Sequence, residues 1–350
     1  MKKIFIFAIL SSFVSCSNFS YLLTSGKEQL KINFNKIPIE KALQEYDFTE
    51  EEKKKLNLVS EIKDYAKNTL EMDIDETIYS SYLELNDIYV TYLLRVSLAY
   101  ELKAYTWYFP ITGSVPYKGF FDKKEALKEA KSFPEEKYDI YIRGVTAYST
   151  LGWFEDPILS SMLRYEEVDF TTMIFHELAH TVLFFKNNVN FNERFAEFIG
   201  RKASLLFYTK KEGENSEKVK DMLISWKEEL LFSSFMVKEY ENLNKWYKKN
   251  KGQITKEKKQ KRIQEIQTRF LTQIQPQFQT NKYDYFPKIK LNNAKLLSYR
   301  SYNFNMEEFE KLFNSPEINQ NIKAFIDYCF KFKSEENPEK ALSQEINKLS

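Results

Sequence analysis

Apolar residues in the amino-terminal part of the chain recur mainly at helical spacing. Leu56, Val59, Ile62, Tyr65 and Ala66 lie three or four apart behind Thr49-Glu50-Glu51-Glu52. Thr followed at three by Glu is a capping box, so a helix is predicted to start there. Around it, residues 26–73 read as helical with polar faces, interrupted at Ile37-Pro38-Ile39. Between residues 88 and 121 the pattern shifts. Stretches 88–96, 98–103 and 106–109 are rich in β-branched and aromatic residues and predict strands. Gly113-Ser114-Val115-Pro116 reads as a turn, 122–133 as a short amphipathic helix, and 139–148 as the strongest strand pattern. Gly144 marks a point in that strand where another backbone could come close, and the strand's edge would suit an extended peptide. Residues 149–163, with Asp156-Pro157, read as a loop.

Beyond residue 210 the composition turns charged and helical. Val219, Met222, Leu223, Trp226, Leu230 and Leu231 keep helical spacing, Gly252 breaks the pattern, and 256–275 resumes it, which predicts a long helical hairpin. Strands, a helix, a strand and further helices make an α+β layout. The expected organisation is a leader at 1–15, a mostly helical region at 16–103, a core at 104–210, the hairpin at 211–280 and a helical region at 281–350 that packs back on the core.

Composition narrows the function classes. Lys and Arg number 52 against 50 Asp and Glu, a formal charge of +2 that falls to 0 without Lys2 and Lys3. Neutrality argues against a nucleic-acid partner. The lysine-rich run at 256–261 is balanced by neighbouring acids and reads as a solvated helix face. Few glycines and prolines and 16% aromatic residues suit a helix-rich globular chain.

The chemistry is concentrated in Phe175-His176-Glu177-Leu178-Ala179-His180. His176 and His180 are the only histidines, and they stand four apart, so on a helix their imidazoles share a face and can hold one metal ion. Glu177 then lies beside the water that such an ion activates, where it can act as general base. A catalytic zinc usually has three protein ligands and an open position. With no third histidine and no cysteine nearby, the third ligand has to be a carboxylate. Asn192-Glu193 followed at four by Glu197 resembles the gluzincin pattern, and that resemblance makes Glu193 the ligand and Glu197 an outer carboxylate that orients a zinc-bound histidine. Glu155, Glu166 and Glu167 are competing carboxylates that lack the helical repeat. Asn192 reads as the N-cap of the second helix, with Glu193 in its first turn. The first helix is expected to run to about Lys186.

Met1-Lys2-Lys3 followed by an apolar stretch to Phe13 reads as a secretory signal, too short to span a bilayer. Phe13-Val14-Ser15-Cys16 resembles a bacterial lipobox with Cys16 as the lipidated residue. This predicts an exported, membrane-anchored lipoprotein on the periplasmic or cell-surface face. Cys329 is then the one remaining thiol and reads as buried and structural.

Val115-Pro116-Tyr117-Lys118-Gly119-Phe120-Phe121, Ala147-Tyr148-Ser149-Thr150-Leu151-Gly152-Trp153-Phe154, Asp156-Pro157, the HExxH stretch, Phe191-Asn192-Glu193-Arg194-Phe195-Ala196, Tyr21-Leu22-Leu23 and Leu291-Asn292-Asn293-Ala294-Lys295-Leu296 together resemble the bacterial predicted aminopeptidases. Arg194 replaces a small polar residue of that family's pattern, and 210–275 stands outside the match. The resemblance implies an exported zinc metallopeptidase with a zincin-like core, ligands His176, His180 and Glu193, Zn²⁺ as cofactor and a peptide or protein as substrate. The exo-acting specificity comes from the resemblance alone. Tyrosine is the class expected to stabilise the oxyanion, because no histidine remains, and Tyr148 and Tyr302 are the candidates. Other readings are an endopeptidase, a hydrolase of cell-wall cross-links, and a lipoprotein interaction or assembly factor whose hairpin binds a partner and whose metal is structural. An intact Glu177 weighs against the last, since a structural site needs no base. Because both ligand helices precede the hairpin, the hairpin is expected to be dispensable for metal binding.

Overall fold

The computed structural model describes residue 27 and residues 30–109, 113–147, 155–186, 188–302 and 306–349. These residues form a mixed α+β fold in which helices dominate and the sheets are small. The predicted capping box is present: Thr49 accepts from Glu52 N, and the Glu52 side chain accepts from Thr49 N, at the start of α2 (Glu50–Asp64). Before it lie β1 (Ile37–Pro38) and α1 (Ile39–Glu45). Among the described residues Pro38 sits in a strand paired on one side, by β2 (Ser81–Leu83), as suits a residue without an amide donor. β2 pairs in parallel with β8 (Ile158–Leu159).

The larger sheet has the order β6-β3-β7, with β3 at Thr91–Leu98, β6 at Lys118–Phe120 and β7 at Tyr138–Val145, all antiparallel. One face packs Tyr92, Leu94, Val96 and Phe120 against Ala126 and Ala130 of α3 (Lys123–Ala130), which is capped by Asp122 as its sequence position suggests. Lys118 is buried on that face and pairs with Glu129 of α3 at 3.1 Å. Two sequence expectations fail here. Residues 98–103 do not form a strand, because the carbonyls of Leu98, Ala99 and Glu101 all turn toward one amide, Nδ2 of Asn293. Gly113–Val115 is not a turn but β5, paired with β4 (Trp107–Phe109).

Gly144 is also explained differently from its expected role. A Cβ at this position would lie 2.2 Å from the Tyr89 ring, so an aromatic side chain, not a second backbone, requires the glycine. β7 is nevertheless an edge strand among the described residues, since only β3 pairs with it.

The metal-motif helix is α4 (Glu167–Val182), followed by α5 (Val189–Glu212). Phe170, Ile174, Phe175 and Leu178 of α4 and Phe191, Phe195, Ile199 and Ala203 of α5 are all fully buried in the main core. The helical hairpin is present as α6 (Glu217–Lys249) and α7 (Lys256–Arg269), with Gly252 at φ 80° in the turn, a backbone state that favours glycine. Val219 and Met222 of α6 join the main core, while Phe232, Phe235, Leu243, Ile263 and Phe270 build a second core with Tyr283 and Phe286. Arg269 grips Glu239 through two bonds of 2.8 and 2.6 Å across the hairpin.

The chain returns through α8 (Asn293–Tyr302), α9 (Glu307–Phe313), α10 (Ile322–Phe330) and α11 (Pro338–Leu349). The Asn292-Asn293 pair, prominent in the sequence, joins these layers. Asn292 donates to Ile140 O of β7 at 2.9 Å, and Asn293 accepts from Tyr247 of α6 at 2.8 Å while its backbone N–H donates to Asp139. Arg194 pairs with Glu308 of α9 and Glu339 of α11 and lies over the Phe309 ring, so the unusual arginine fastens α5 to the carboxy-terminal helices. Cys329 is buried, and burial raises its thiol well above the ordinary range, as expected of a structural thiol. Among the described residues no helix is long and apolar enough to cross a membrane.

Candidate metal centre

The polar face of α4 presents His176 and His180, whose Nε2 atoms approach to 3.2 Å with rings at 81° to each other. α5 brings Glu193 against both: Oε2 lies 3.6 Å from His176 Nε2 and Oε1 3.7 Å from His180 Nε2. One ligand atom from each of the three residues falls within 4.8 Å of the others, a spacing that suits a shared ion. Glu197, one turn further along α5, instead faces the other ring nitrogen of His176, with Oε2 3.4 Å from Nδ1. The two carboxylates therefore face different ring nitrogens of His176. Glu155 pairs with Lys36, and Glu167 with Lys54, Lys218 and Tyr208, so these competitors are spent elsewhere.

The local route to this geometry differs from the expected one. α4 ends at Val182, not near Lys186, and Leu183 is extended. α5 begins at Val189, so Asn192 is not its N-cap and Glu193 lies past its first turn. Asn192 is buried, and its amide both accepts from Phe185 N and donates to Phe185 O, each at 2.8 Å. The side chain thus holds the connecting segment closed instead of capping the helix.

Gly200 sets how closely the helices cross. A Cβ there would stand 2.8 Å from Thr172 O and 3.2 Å from His176 Cβ. Since the first neighbour is backbone, Gly200→Ala is expected to destabilise the fold by about 1–3 kcal/mol through overpacking, measured by denaturant unfolding. Unchanged stability would show that the helices separate freely.

The electrostatics show what the site demands. Burial lowers the His176 pKa, but bonds to Glu193 and Glu197 and the charge of Glu177 outweigh it and push it up to about 10. His180 goes the other way, down to about 4, through burial and the nearby His176 charge. Burial also disfavours ionised Glu193 and Glu197, yet His176 holds Glu193 below the usual carboxylate range, and Arg201 and His176 hold Glu197 well below it. The carboxylates thus favour positive charge at His176, an electrostatic setting that is compatible with a bound cation. Two imidazole nitrogens and one carboxylate form a donor set that fits zinc.

Sequence reasoning missed three residues here. Arg201 donates from Nε to Glu197 at 2.6 Å and from Nη2 to Glu229 of α6 at 2.5 Å. The hairpin, expected to be dispensable for metal binding, thus makes direct contact with Arg201. The third is Tyr79, fully buried at φ 57°, a conformation that costs an aromatic residue about 1–3 kcal/mol. Its N–H donates to Asp156 O at 2.8 Å. Burial first, then the charges of Glu177 and Asp156, raise its hydroxyl well above the usual tyrosine range. Arg201, four residues after Glu197, was visible as an i,i+4 pair; Glu229 and Tyr79 carried no local signal. Tyr148 and Cys16 lie outside the described residues, and Tyr302 is the last residue of α8.

A family model described as "Putative aminopeptidase" matches residues 20–343. The chain belongs to that family. Membership extends the likeness from the HExxH stretch to nearly the full length, including the Asn292-Asn293 junction and the β5 and β6 strands around Pro116. No curated protein and no solved structure matches the chain.

Proposed function

We propose that this chain is a zinc-dependent peptidase with a zincin-like core, acting as an aminopeptidase in keeping with its family. The observation that carries the reading is the convergence of His176, His180 and Glu193 beside Glu177. His176, His180 and Glu193 would hold the ion. When bound, zinc supplies Lewis acidity toward the scissile carbonyl and makes a water more acidic. Glu177, adjacent to His176 on the same helix, takes the proton of the attacking water and passes it to the leaving amine. Glu197 fixes the His176 ring by its contact with Nδ1, so that Nε2 stays directed at the ligand position. Tyr148 and Tyr302 remain the proposed oxyanion donors, and the outer edge of β7 away from Ile140, whose carbonyl Asn292 occupies, is the proposed seat of an extended substrate.

Metal analysis of the purified chain, combined with a peptide-library digest that resolves cleavage position, tests this reading. Bound zinc with removal of amino-terminal residues supports it. Internal cleavage would favour the endopeptidase alternative, and metal without any cleavage would favour a structural site.

We also propose that the protein is exported and anchored through a lipid on Cys16. Cys16→Ser is expected to shift it from the membrane to the soluble fraction, because the lipid would no longer be attached. Equal distribution of the two forms on cell fractionation would exclude that anchor.

A further inference from the structure

We infer that Arg201 is a positioning residue of the metal centre, and that the hairpin, through Glu229, is a structural part of that centre. The inference rests on the proposed metal site and adds to it. From the first ligand outward, the contacts run His176 Nδ1 to Glu197 Oε2 at 3.4 Å, Glu197 Oε1 to Arg201 Nε at 2.6 Å, and Arg201 Nη2 to Glu229 Oε1 at 2.5 Å. The far oxygen of Glu229 lies 3.4 Å from Lys282 Nζ, which also donates to Ser225 at 3.2 Å. Glu229 and Ser225 come from the hairpin's first helix and Lys282 from the segment that follows its second. Both ends of the hairpin thus meet at the outer side of Arg201.

The guanidinium is suited to this position. Its planar fork places two donors in fixed directions, so one carboxylate can be held relative to another. Its side chain is only 14% exposed, which leaves little freedom to turn away. Without it, Glu197 would carry its unscreened charge close to Glu193, whose ionisation Glu197 already disfavours. Glu197 would then be free to swing, and the His176 ring would lose the contact that orients it. Outer partners of this kind set metal affinity because they hold ligands in the binding orientation.

The test is the zinc affinity of the full chain, read by competition with a chromophoric chelator, with the melting temperature of each metal-free variant as a folding check. Arg201→Met should weaken zinc binding by about 10–100-fold, the range for outer partners. Glu229→Gln should weaken it less, and adding it to Arg201→Met should cause no further loss, because Glu229 acts only through the arginine. Arg269→Met breaks the pair with Glu239 inside the same hairpin without touching Arg201, so it should bind zinc as the wild type does. Wild-type affinity in Arg201→Met would overturn the inference while leaving the metal site standing. So would an equal loss in Arg269→Met and Glu229→Gln, since general loosening of the hairpin would then explain both. If Arg201→Met does not fold, Glu229→Gln decides alone, and unchanged affinity sinks the idea. A wild-type chain that binds no zinc removes this inference together with the proposed function.

Discussion

Glu177→Gln is expected to give a folded protein that carries its full complement of zinc and turns over peptides about 10²–10⁴-fold more slowly, the usual contribution of a positioned general base. The exchange preserves size and leaves His176, His180 and Glu193 in place, so nothing that holds the ion is removed. What changes is proton affinity: a neutral amide cannot accept the proton of the attacking water. The carboxylate is close enough to bear on its surroundings electrostatically, since its charge helps raise the pKa of both His176 and Tyr79. Metal content by elemental analysis and hydrolysis rates on the same sample give both halves of the result. Normal turnover by a zinc-loaded Glu177→Gln protein would rule out the mechanism.

The second large effect separates the two carboxylates of α5. Glu193 faces Nε2 of both histidines, whereas Glu197 faces Nδ1 of His176 and is tied to Arg201. Glu193→Ala removes one of three donors, so that protein should purify essentially free of zinc. Glu197→Ala keeps all three donors and should bind zinc about 10–100-fold more weakly, as expected when an orienting contact is lost. Titrating the two metal-free proteins ranks them directly. A metal-free Glu197→Ala beside a zinc-binding Glu193→Ala would place the ligand one helical turn further on.

The parts of this protein that sequence alone disclosed share one property: their signals are local. The HExxH spacing, the Thr49 capping box, the β7 pattern and the two arms of the hairpin each depend on residues within a few turns of one another, and each is found where the pattern put it. What escaped depends on distant partners. Residues 98–101 carry strand-forming side chains, yet their carbonyls are captured by Asn293, almost two hundred positions later. Asn192 has every attribute of a helix cap, but its amide is claimed by Phe185. Gly144 looked like an opening for a backbone, and Tyr89 fills it. The candidate site followed the same rule: the HExxH spacing marked His176 and His180, which lie together with Glu193, whereas Glu229, brought to Arg201 from a separate helix, had no sequence signature.

The connection between the two ligand helices is short, spanning only 183–188, and Asn192 fastens it at Phe185. Closing so small a loop costs little chain entropy. The tether holds the third donor at a high local concentration beside the imidazoles, in the sense that linked binding groups raise one another's effective molarity. The three side chains are thus already gathered, so the cation proposed to bind there would spend little of its binding free energy on assembling them.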